Sequence, residues 1–265
     1  MSFIDGWIPT YVRQAYPVTS NIDAYIRSWR QSLPVESHGG LIERIIFSKI
    51  NPANPSQPGA VMQEVKKFSR AILEGFTATT PVIHESEQEV LYVANGKGRI
   101  ETEGVAEKLT EGSAVLVPPK IFHTIINETS NPLELLIVVE DVPNEAMDNV
   151  GKRIVVRNYH ALPVSVGGHW CHIVRKLFGS EDGLITVNSV LMVSIDGMNI
   201  GESHPHNPGA DEVWYQLKGT SLLYLGREIR RQHPGDAVMI PPDGRTPHSS
   251  INGTEEPMQW FYFRH

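Results

Sequence analysis

The sequence contains a single cysteine, few basic residues relative to acidic ones and no long hydrophobic run. Cys171 alone cannot form an intramolecular disulfide, and a lone thiol fits a reducing compartment. Lys and Arg number 23 against 30 Asp and Glu, and the net charge of −7 disfavours nucleic-acid and anionic-lipid partners. The chain has no membrane-spanning run and no signal-peptide pattern at its start. These absences predict a cytoplasmic protein with no nucleic-acid and no membrane partner.

Short β-branched runs, interrupted by glycine and proline, dominate the rest of the chain. With 22 glycines and 19 prolines, runs such as 114–117 and 237–240 predict many short strands and an all-β fold. One segment differs, because four apolar residues recur there at helical spacing, which predicts a helix over 22–33 that ends before Pro34. Residues 61–68 fit both a helix and a strand, and their secondary structure stays open.

The chain contains a long internal repeat at a shift of 123 residues. The matched pairs are residues 89–92 (EVLY) with 212–215 (EVWY), Gly112 with Gly235 and, after a two-residue insertion, His123 with His248. Each copy is far longer than the units of a solenoid. The sequence therefore predicts two copies of one β domain, with the boundary between them near 145–180.

Three histidines and one glutamate form the strongest chemical pattern, and all lie in the second copy: His204, His206, Glu212 and His248. His204 and His206 stand two apart on a strand and therefore point to the same face. Imidazole and carboxylate groups together suit first-row divalent metals, and four such ligands on an octahedral ion leave positions for substrate or water. The pattern predicts a catalytic metal site.

These residues and their spacing resemble the two motifs of the cupin superfamily, G-x5-H-x-H-x3–4-E-x6-G and G-x5-P-x-G-x2-H-x3-N. The second copy keeps most of the fixed positions, including the six residues between Glu212 and Gly219. It departs from the motifs in the lengths of three connections, and the loop between His206 and Glu212 holds five residues. Asp211 would restore the spacing of this loop. Only Glu212 aligns with Glu89 of the first copy, so Glu212 is the preferred ligand and Asp211 the alternative.

The resemblance covers roughly 40–140 and 185–265 and implies a bicupin, with two double-stranded, jelly-roll β-barrels. The helix predicted over 22–33 adds a short helical segment at the N-terminus. The implied division is an N-terminal extension with one helix over 1–35, a first barrel with a degenerate site over 36–145, an interdomain segment over 146–180 and a second barrel with the complete metal site over 181–265.

The first copy retains only part of the ligand set. His84, Glu89 and His123 stand at three of the four ligand positions, but Val82 occupies the position of the first histidine. Two histidines and a carboxylate are enough to hold iron, so a second metal site and a purely structural barrel both stay open. His38 lies outside both motifs and is assigned no role.

Substrate contacts are predicted from residues that face into the second barrel. If Glu212 points inward, strand alternation also turns Trp214 and Gln216 inward. Arg245, at the barrel mouth, is a candidate clamp for a carboxylate or phosphate. The interdomain histidines, His169 and His172, fit a lid over the pocket and packing at an interface equally well.

The resemblance implies a metal-dependent enzyme that acts on a small polar, oxygen-rich substrate, such as a sugar, uronate or keto acid, by isomerase or lyase chemistry. A metal-dependent dioxygenase and a non-catalytic small-molecule-binding cupin are the alternatives. The implied cofactor is one divalent transition metal per chain, Zn, Mn, Fe, Ni or Cu, in the C-terminal barrel. The expected partners are a small-molecule substrate and, since cupins commonly dimerise through sheet faces, a second copy in a homodimer.

Overall fold

The computed structural model describes residues 21–165 and 169–265, so the start of the predicted N-terminal extension lies outside the described residues. The strands of the first half are β1 (Ile26–Ser28), β2 (Val35–Ser37), β3 (Leu41–Lys49), β4 (Ala60–Met62), β5 (Lys67–Leu73), β6 (Thr77–Ala78), β7 (Glu87–Asn95), β8 (Lys97–Thr102), β9 (Val105–Thr110), β10 (Ser113–Val117), β11 (His123–Asn127) and β12 (Leu133–Asp141). Those of the second half are β13 (Val155–Asn158), β14 (Ile173–Gly179), β15 (Ser189–Ile195), β16 (Asn199–Ile200), β17 (Glu212–Lys218), β18 (Ser221–Leu225), β19 (Glu228–Gln232), β20 (Asp236–Met239), β21 (His248–Asn252) and β22 (Met258–Arg264).

Helical structure in the described ranges is limited to short 3-10 turns. They are Ile22–Tyr25, Trp29–Gln31, Asn144–Ala146, Tyr159–Ala161 and Ser180–Asp182. None of these described helices is long and apolar enough to cross a membrane.

The strands form two barrels, each made of one large and one small sheet. In the first barrel the large sheet has the order β13-β10-β7-β12-β5-β3-β2, with β4 beside β3, and the small sheet has the order β6-β11-β8-β9. In the second barrel the orders are β1-β20-β17-β22-β15-β14 and β16-β21-β18-β19. Because β7 and β17 begin the matched segments of the repeat and occupy the same place in their sheets, the duplication is visible in the topology. The predicted all-β fold is confirmed.

The predicted helix over 22–33 is wrong. The segment forms two 3-10 turns around β1, and β1 pairs with β20 of the second barrel, where Ile26 lies opposite Val238. An isolated helix of this length is marginal in water, so pairing with an existing sheet outweighs the helical spacing of the apolar residues. Leu33, which the helix would have buried, is 84% exposed.

Each barrel receives an edge strand from the segment that precedes the other barrel. β1 precedes the first barrel and joins the second, whereas β13 precedes the second barrel and pairs with β10 of the first. At both junctions a repeated glycine with positive φ meets an aromatic residue. The carbonyl of Gly235 (φ +98°) accepts from Trp29 N, and that of Gly112 (φ +86°) accepts from Tyr159 N. A Cβ at Gly235 would lie 2.7 Å from Trp29 Nε1, so the close approach requires glycine.

The apolar side chains of the described residues form three cores. One fills the first barrel and one fills the second, and the third lies between the two large sheets and draws side chains from both. Phe68 of β5 stands in this third core, with its ring centroid 5.2 Å from that of Phe263 and 5.8 Å from that of Tyr215. Residues on both faces of the large sheets are therefore buried, and the two barrels share one packed interface.

Two buried carboxylates accept hydrogen bonds from loop backbone on the other side of this interface. The Asp211 carboxylate accepts hydrogen bonds from the backbone N–H groups of residues 63–65, at 2.7–2.8 Å. In the opposite direction, Glu140 accepts from the N–H groups of residues 185–187. The segment 61–68, left open by the sequence, is thus the end of β4, a turn held by Asp211 and the start of β5.

Candidate metal centre

Four predicted ligand side chains converge at the mouth of the second barrel. His204 forms an isolated antiparallel bridge with His248, the first residue of β21, while Glu212 is the first residue of β17. His206 lies on the loop between His204 and β17. The loop between His206 and Glu212 is longer than the cupin motif specifies, but it does not separate the ligands. The bridge between His204 and His248 fixes the chain before this loop, and β17 fixes the chain after it.

The ligand atoms are close enough to share one ion. The ring nitrogens of His204, His206 and His248 lie within 4.8 Å of one another. Glu212 faces them, with Oε2 2.5 Å from His206 Nε2 and Oε1 3.3 Å from His248 Nε2. The buried Nε2 of His204 has no hydrogen-bond partner. An unsatisfied buried imidazole nitrogen beside a carboxylate is the donor set that divalent transition metals prefer, so these residues fit the metal that the motif implies.

Burial and mutual interaction shift the pKa values of these groups. Burial raises the pKa of Glu212, but the hydrogen bonds and positive charge of His206 and His248 outweigh it and hold the pKa well below its ordinary value. Burial, together with the charge of His248, lowers the pKa of His204 to about 4. At neutral pH the carboxylate is ionised and the His204 ring is neutral, which are the forms that bind metal.

The neighbouring carboxylates Asp211 and Glu212 point to different places. Glu212 joins the histidines, whereas both oxygens of Asp211 are hydrogen-bonded to the turn at residues 63–65. Glu212 is further oriented by two donors, Trp214 Nε1 at 2.9 Å from Oε1 and the Tyr262 hydroxyl at 3.0 Å from Oε2. The geometry favours Glu212 over the alternative ligand.

A cavity of about 200 Å³ adjoins this cluster. Its walls are largely aromatic and aliphatic and include Trp214, Trp260, Tyr262 and Val193, and His204 and Glu212 also line it. Strand alternation places Trp214 in this interior, as the sequence predicts, while Tyr215 belongs to the core between the barrels. The site is therefore a small pocket, lined mostly by aromatic and aliphatic side chains, that also includes two of the candidate ligands, His204 and Glu212.

Two histidines of the predicted interdomain segment also line the cavity. The ring of His169 stacks on that of His204, with centroids 4.3 Å apart, and the His172 ring meets Trp260 edge-on at 5.5 Å. The Nε2 of His172 is buried and has no hydrogen-bond partner, and burial, with the charge of His169, lowers the pKa of His172 to about 4. From the sequence, a lid over the pocket and packing at an interface fit these two histidines equally well. The structure places both at the pocket, just before β14 begins.

The other predicted substrate residues lie apart from this cavity. The side-chain amide of Gln216 donates to the carbonyls of Lys218 and Gly219, so the turn after β17 satisfies it. Arg245 is exposed, and its backbone N–H donates to Asp243. Of the three residues proposed for substrate, Trp214 alone is among the described lining of the pocket.

In the first barrel the structure brings His84, Glu89 and His123 together and adds a histidine that the sequence left without a role. His38 Nε2 lies 2.9 Å from Glu89 Oε1, and His84 Nε2 lies 3.4 Å from the same oxygen. His38 stands on the turn between β2 and β3, about fifty residues before the motif. No spacing rule for the motif would have found it.

Comparison with known proteins establishes the family. The cupin domain matches residues 71–139 and 191–263, which together make up more than half of the chain. The chain belongs to the cupin domain family and, because the domain occurs twice, it is a two-domain cupin. Comparison with curated proteins gave no match.

Solved structures with the same fold have diverse names. A glyoxylate-induced protein of Pseudomonas aeruginosa is 14% identical, with a TM-score of 0.69 over 87% of this chain and 82% of that one. Oxalate decarboxylase of Lactobacillus farciminis, in a formate complex, is 15% identical, with a TM-score of 0.69 over 95% and 88%. The 7S globulin of Momordica charantia is 13% identical, with a TM-score of 0.66 over 91% and 84%. At these identities the similarity shows the bicupin fold alone.

Proposed function

We propose that the chain is a metal-dependent enzyme that acts on a small, oxygen-rich carboxylic acid in its C-terminal barrel, by lyase or isomerase chemistry. The observation that carries the proposal is the cavity of about 200 Å³ beside the cluster of three histidines and one glutamate. The names of two similar structures, which refer to oxalate and glyoxylate, support a small acid as the substrate class.

The proposed ligands are His204, His206, Glu212 and His248. A divalent metal bound there supplies positive charge and Lewis-acid polarisation of a substrate oxygen. Among the described residues that line the cavity there is no lysine or arginine. Arg264, which is outside this lining, has its Nε 3.9 Å from Glu212 Oε2. The carboxylate of an acid substrate would therefore be held at the ligand cluster rather than at Arg245.

The remaining groups of the pocket orient the ligands, exclude water and handle protons. Trp214 and Tyr262 hold both oxygens of Glu212. The indole rings of Trp214 and Trp260 stack with centroids 5.4 Å apart and form an apolar wall that displaces water from the substrate. His172 lines the same cavity and has a buried, unpaired Nε2, and we assign it the transfer of a proton to or from the substrate.

The first experiment is metal analysis of the purified native chain and of His204→Ala and His248→Ala variants. The matched control is His233→Ala, since His233 is exposed and lies outside both clusters. We expect both ligand variants to lose one equivalent of metal per chain and the control to lose none. Absence of metal from the native chain after reconstitution with divalent ions would overturn the proposal in favour of a non-catalytic binding protein.

The second experiment measures turnover of a panel of small carboxylic acids by proton NMR, with oxygen uptake recorded in parallel. We expect His172→Gln to retain its metal and to lose about 100-fold or more in kcat, as removal of an acid–base group does. Product formation without oxygen uptake supports lyase or isomerase chemistry. Turnover that consumes oxygen stoichiometrically would replace the proposal with the dioxygenase alternative.

A further inference from the structure

The mouth of the first barrel holds a cluster of four metal-binding side chains: His38, His84, Glu89 and His123. His38 and Glu89 are 2.9 Å apart, and ligand atoms of His38, His84 and Glu89 all lie within 4.8 Å of one another. The ring centroids of His84 and His123 are 6.0 Å apart. The composition, three imidazoles and one carboxylate, equals that of the C-terminal cluster.

His38 compensates for the histidine that the first repeat lost. Val82 forms an isolated antiparallel bridge with His123, as His204 does with His248, so Val82 occupies the structural position of the first histidine and offers no ligand atom. The imidazole of His38 reaches the cluster instead from the turn between β2 and β3. His38 has a φ of +49°, in the left-handed region that is uncommon for residues other than glycine.

The side chains of three members of the cluster are buried, that of His84 is 23% exposed, and the cluster is incompletely satisfied. The side chains of His38 and Glu89 are 3% and 1% exposed. Glu89 Oε2 and His123 Nε2 are buried without a hydrogen-bond partner. Leaving such buried groups unpaired is unfavourable, so a cation bound between them would satisfy both.

The interior beneath this cluster differs from that of the second barrel. It is filled by aliphatic side chains such as Leu91, Val93, Val117 and Ile125, each no more than 2% exposed. Where the C-terminal cluster adjoins tryptophans and a cavity, the N-terminal cluster lies on a packed core. A site with four protein ligands on such a core has the character of a closed, structural metal site.

We propose that the first barrel binds a second, structural divalent metal through His38, His84, Glu89 and His123. Zinc is the expected ion, because imidazole and carboxylate ligands in a closed set of four suit its tetrahedral coordination. The ion would fasten the turn between β2 and β3 to β7 and β11. This inference does not depend on the proposed function of the second barrel.

The test uses the full chain with the C-terminal site removed by His204→Ala and His248→Ala. We expect this double variant to retain about one equivalent of zinc per chain after dialysis, and His38→Gln added to it to retain none. His233→Ala added to the same background is the matched control and should retain the equivalent. Added zinc should raise the Tm of the double variant by several degrees and leave that of the His38→Gln triple variant unchanged.

Cobalt substitution reports the ligand set directly. Cobalt bound to the double variant should give the intense visible absorption of a tetrahedral complex, and His38→Gln should abolish it. If the double variant does not fold, the native chain should bind two equivalents of metal and His38→Gln one.

Two outcomes would overturn the proposal. In the first, the folded double variant binds no metal, and the cluster is then held by a proton shared between His38 and Glu89. In the second, metal binds but is unaffected by His38→Gln. Neither outcome bears on the C-terminal site, which is absent from the double variant.

Discussion

At the scale of single residues, two adjacent carboxylates have different roles. Asp211 and Glu212 differ by one position along the chain, so their side chains leave the backbone on opposite sides at the start of β17. Asp211 is fully buried and caps three N–H groups of the first barrel, while Glu212 faces the histidines of the second. One connects the barrels and the other belongs to the candidate metal centre.

The two carboxylates can be separated by substitution. We expect Asp211→Asn to lower the free energy of unfolding by about 2 kcal/mol, because hydrogen bonds to a charged acceptor are lost, and to leave the metal content unchanged. Glu212→Gln should show the reverse pattern, with metal lost and the interface intact. Urea denaturation and metal analysis of both variants make the comparison. Loss of metal from Asp211→Asn, with metal retained in Glu212→Gln, would identify Asp211 as the ligand.

At the scale of elements, the segment around β1 belongs structurally to the second barrel. Ile22, in the 3-10 turn before β1, is 2% exposed and lies in the apolar core of that barrel. β13 plays the corresponding part for the first barrel. The exchange covers one edge of each large sheet, which would otherwise expose unpaired backbone groups.

A pair of alanine substitutions tests this assignment. Ile22→Ala should lower the free energy of unfolding by about 2–4 kcal/mol, since it removes buried methyl groups from a packed core. Leu33→Ala, eleven residues later in the same segment and largely exposed, should change it by less than about 0.5 kcal/mol. Denaturant titration followed by tryptophan fluorescence measures both. Equal, small effects of the two substitutions would show that the segment does not contribute to the core.

Strands β3 and β5 are connected by an ion pair that includes a buried carboxylate. The Glu43 carboxylate of β3 is 2.8 Å from Lys67 Nζ of β5 and accepts from the Ser69 hydroxyl. Burial raises the pKa of Glu43, but the charge and hydrogen bond of Lys67 and the Ser69 hydroxyl outweigh it, and the pKa lies below the ordinary value of 4.5. The stabilisation is therefore complete above that value and is lost as the pH falls through the lower pKa of the folded chain.

The lowered pKa of Glu43 predicts how the stability of the chain changes with pH. Glu43→Gln should destabilise the chain by about 1–2 kcal/mol at pH 7, and the difference from the native chain should shrink below pH of about 4.5 as the native carboxylate becomes protonated. Thermal denaturation of the two proteins between pH 7 and pH 3 provides the measurement. A difference that grows as the pH falls would contradict the stated direction of the pKa shift.

At the scale of the whole molecule, the barrels share a core and exchange strands, so they are expected to unfold together. The core between the large sheets contains Phe68, Tyr92, Tyr215, Phe261 and Phe263, all nearly inaccessible to solvent. The capped turns at residues 63–65 and 185–187 add polar contacts across the same interface. Neither barrel has an independent apolar core on this side.

Phe68→Ala tests this coupling. Removal of the ring should cost about 3–5 kcal/mol and shift a single calorimetric transition to lower temperature without splitting it. The metal content should be unchanged, because Phe68 lies outside both histidine clusters. Two resolved transitions in the native chain or the variant would show that the barrels unfold independently.

The sequence by itself determined the strand-rich fold, the duplication and the family, because strand alternation, turn residues and motif spacing are local in the chain. It also grouped His204, His206, Glu212 and His248, since the spacing of the two motifs assigns all four residues to one ligand set. In the structure, Glu212 comes from the large sheet and His248 from the small sheet of the same barrel. The predicted division into domains and a homodimer stay predictions.

Only the tertiary structure decided which segments complete each barrel and which side chains complete each site. β1 forms in place of the predicted helix because it pairs with β20. This partner lies about two hundred residues further along the chain, so a local pattern could not predict the pairing. His38, His169 and His172 reach the clusters from turns and connections whose paths depend on packing. Contacts of this kind join residues far apart in sequence, and a pattern confined to neighbouring positions does not predict them.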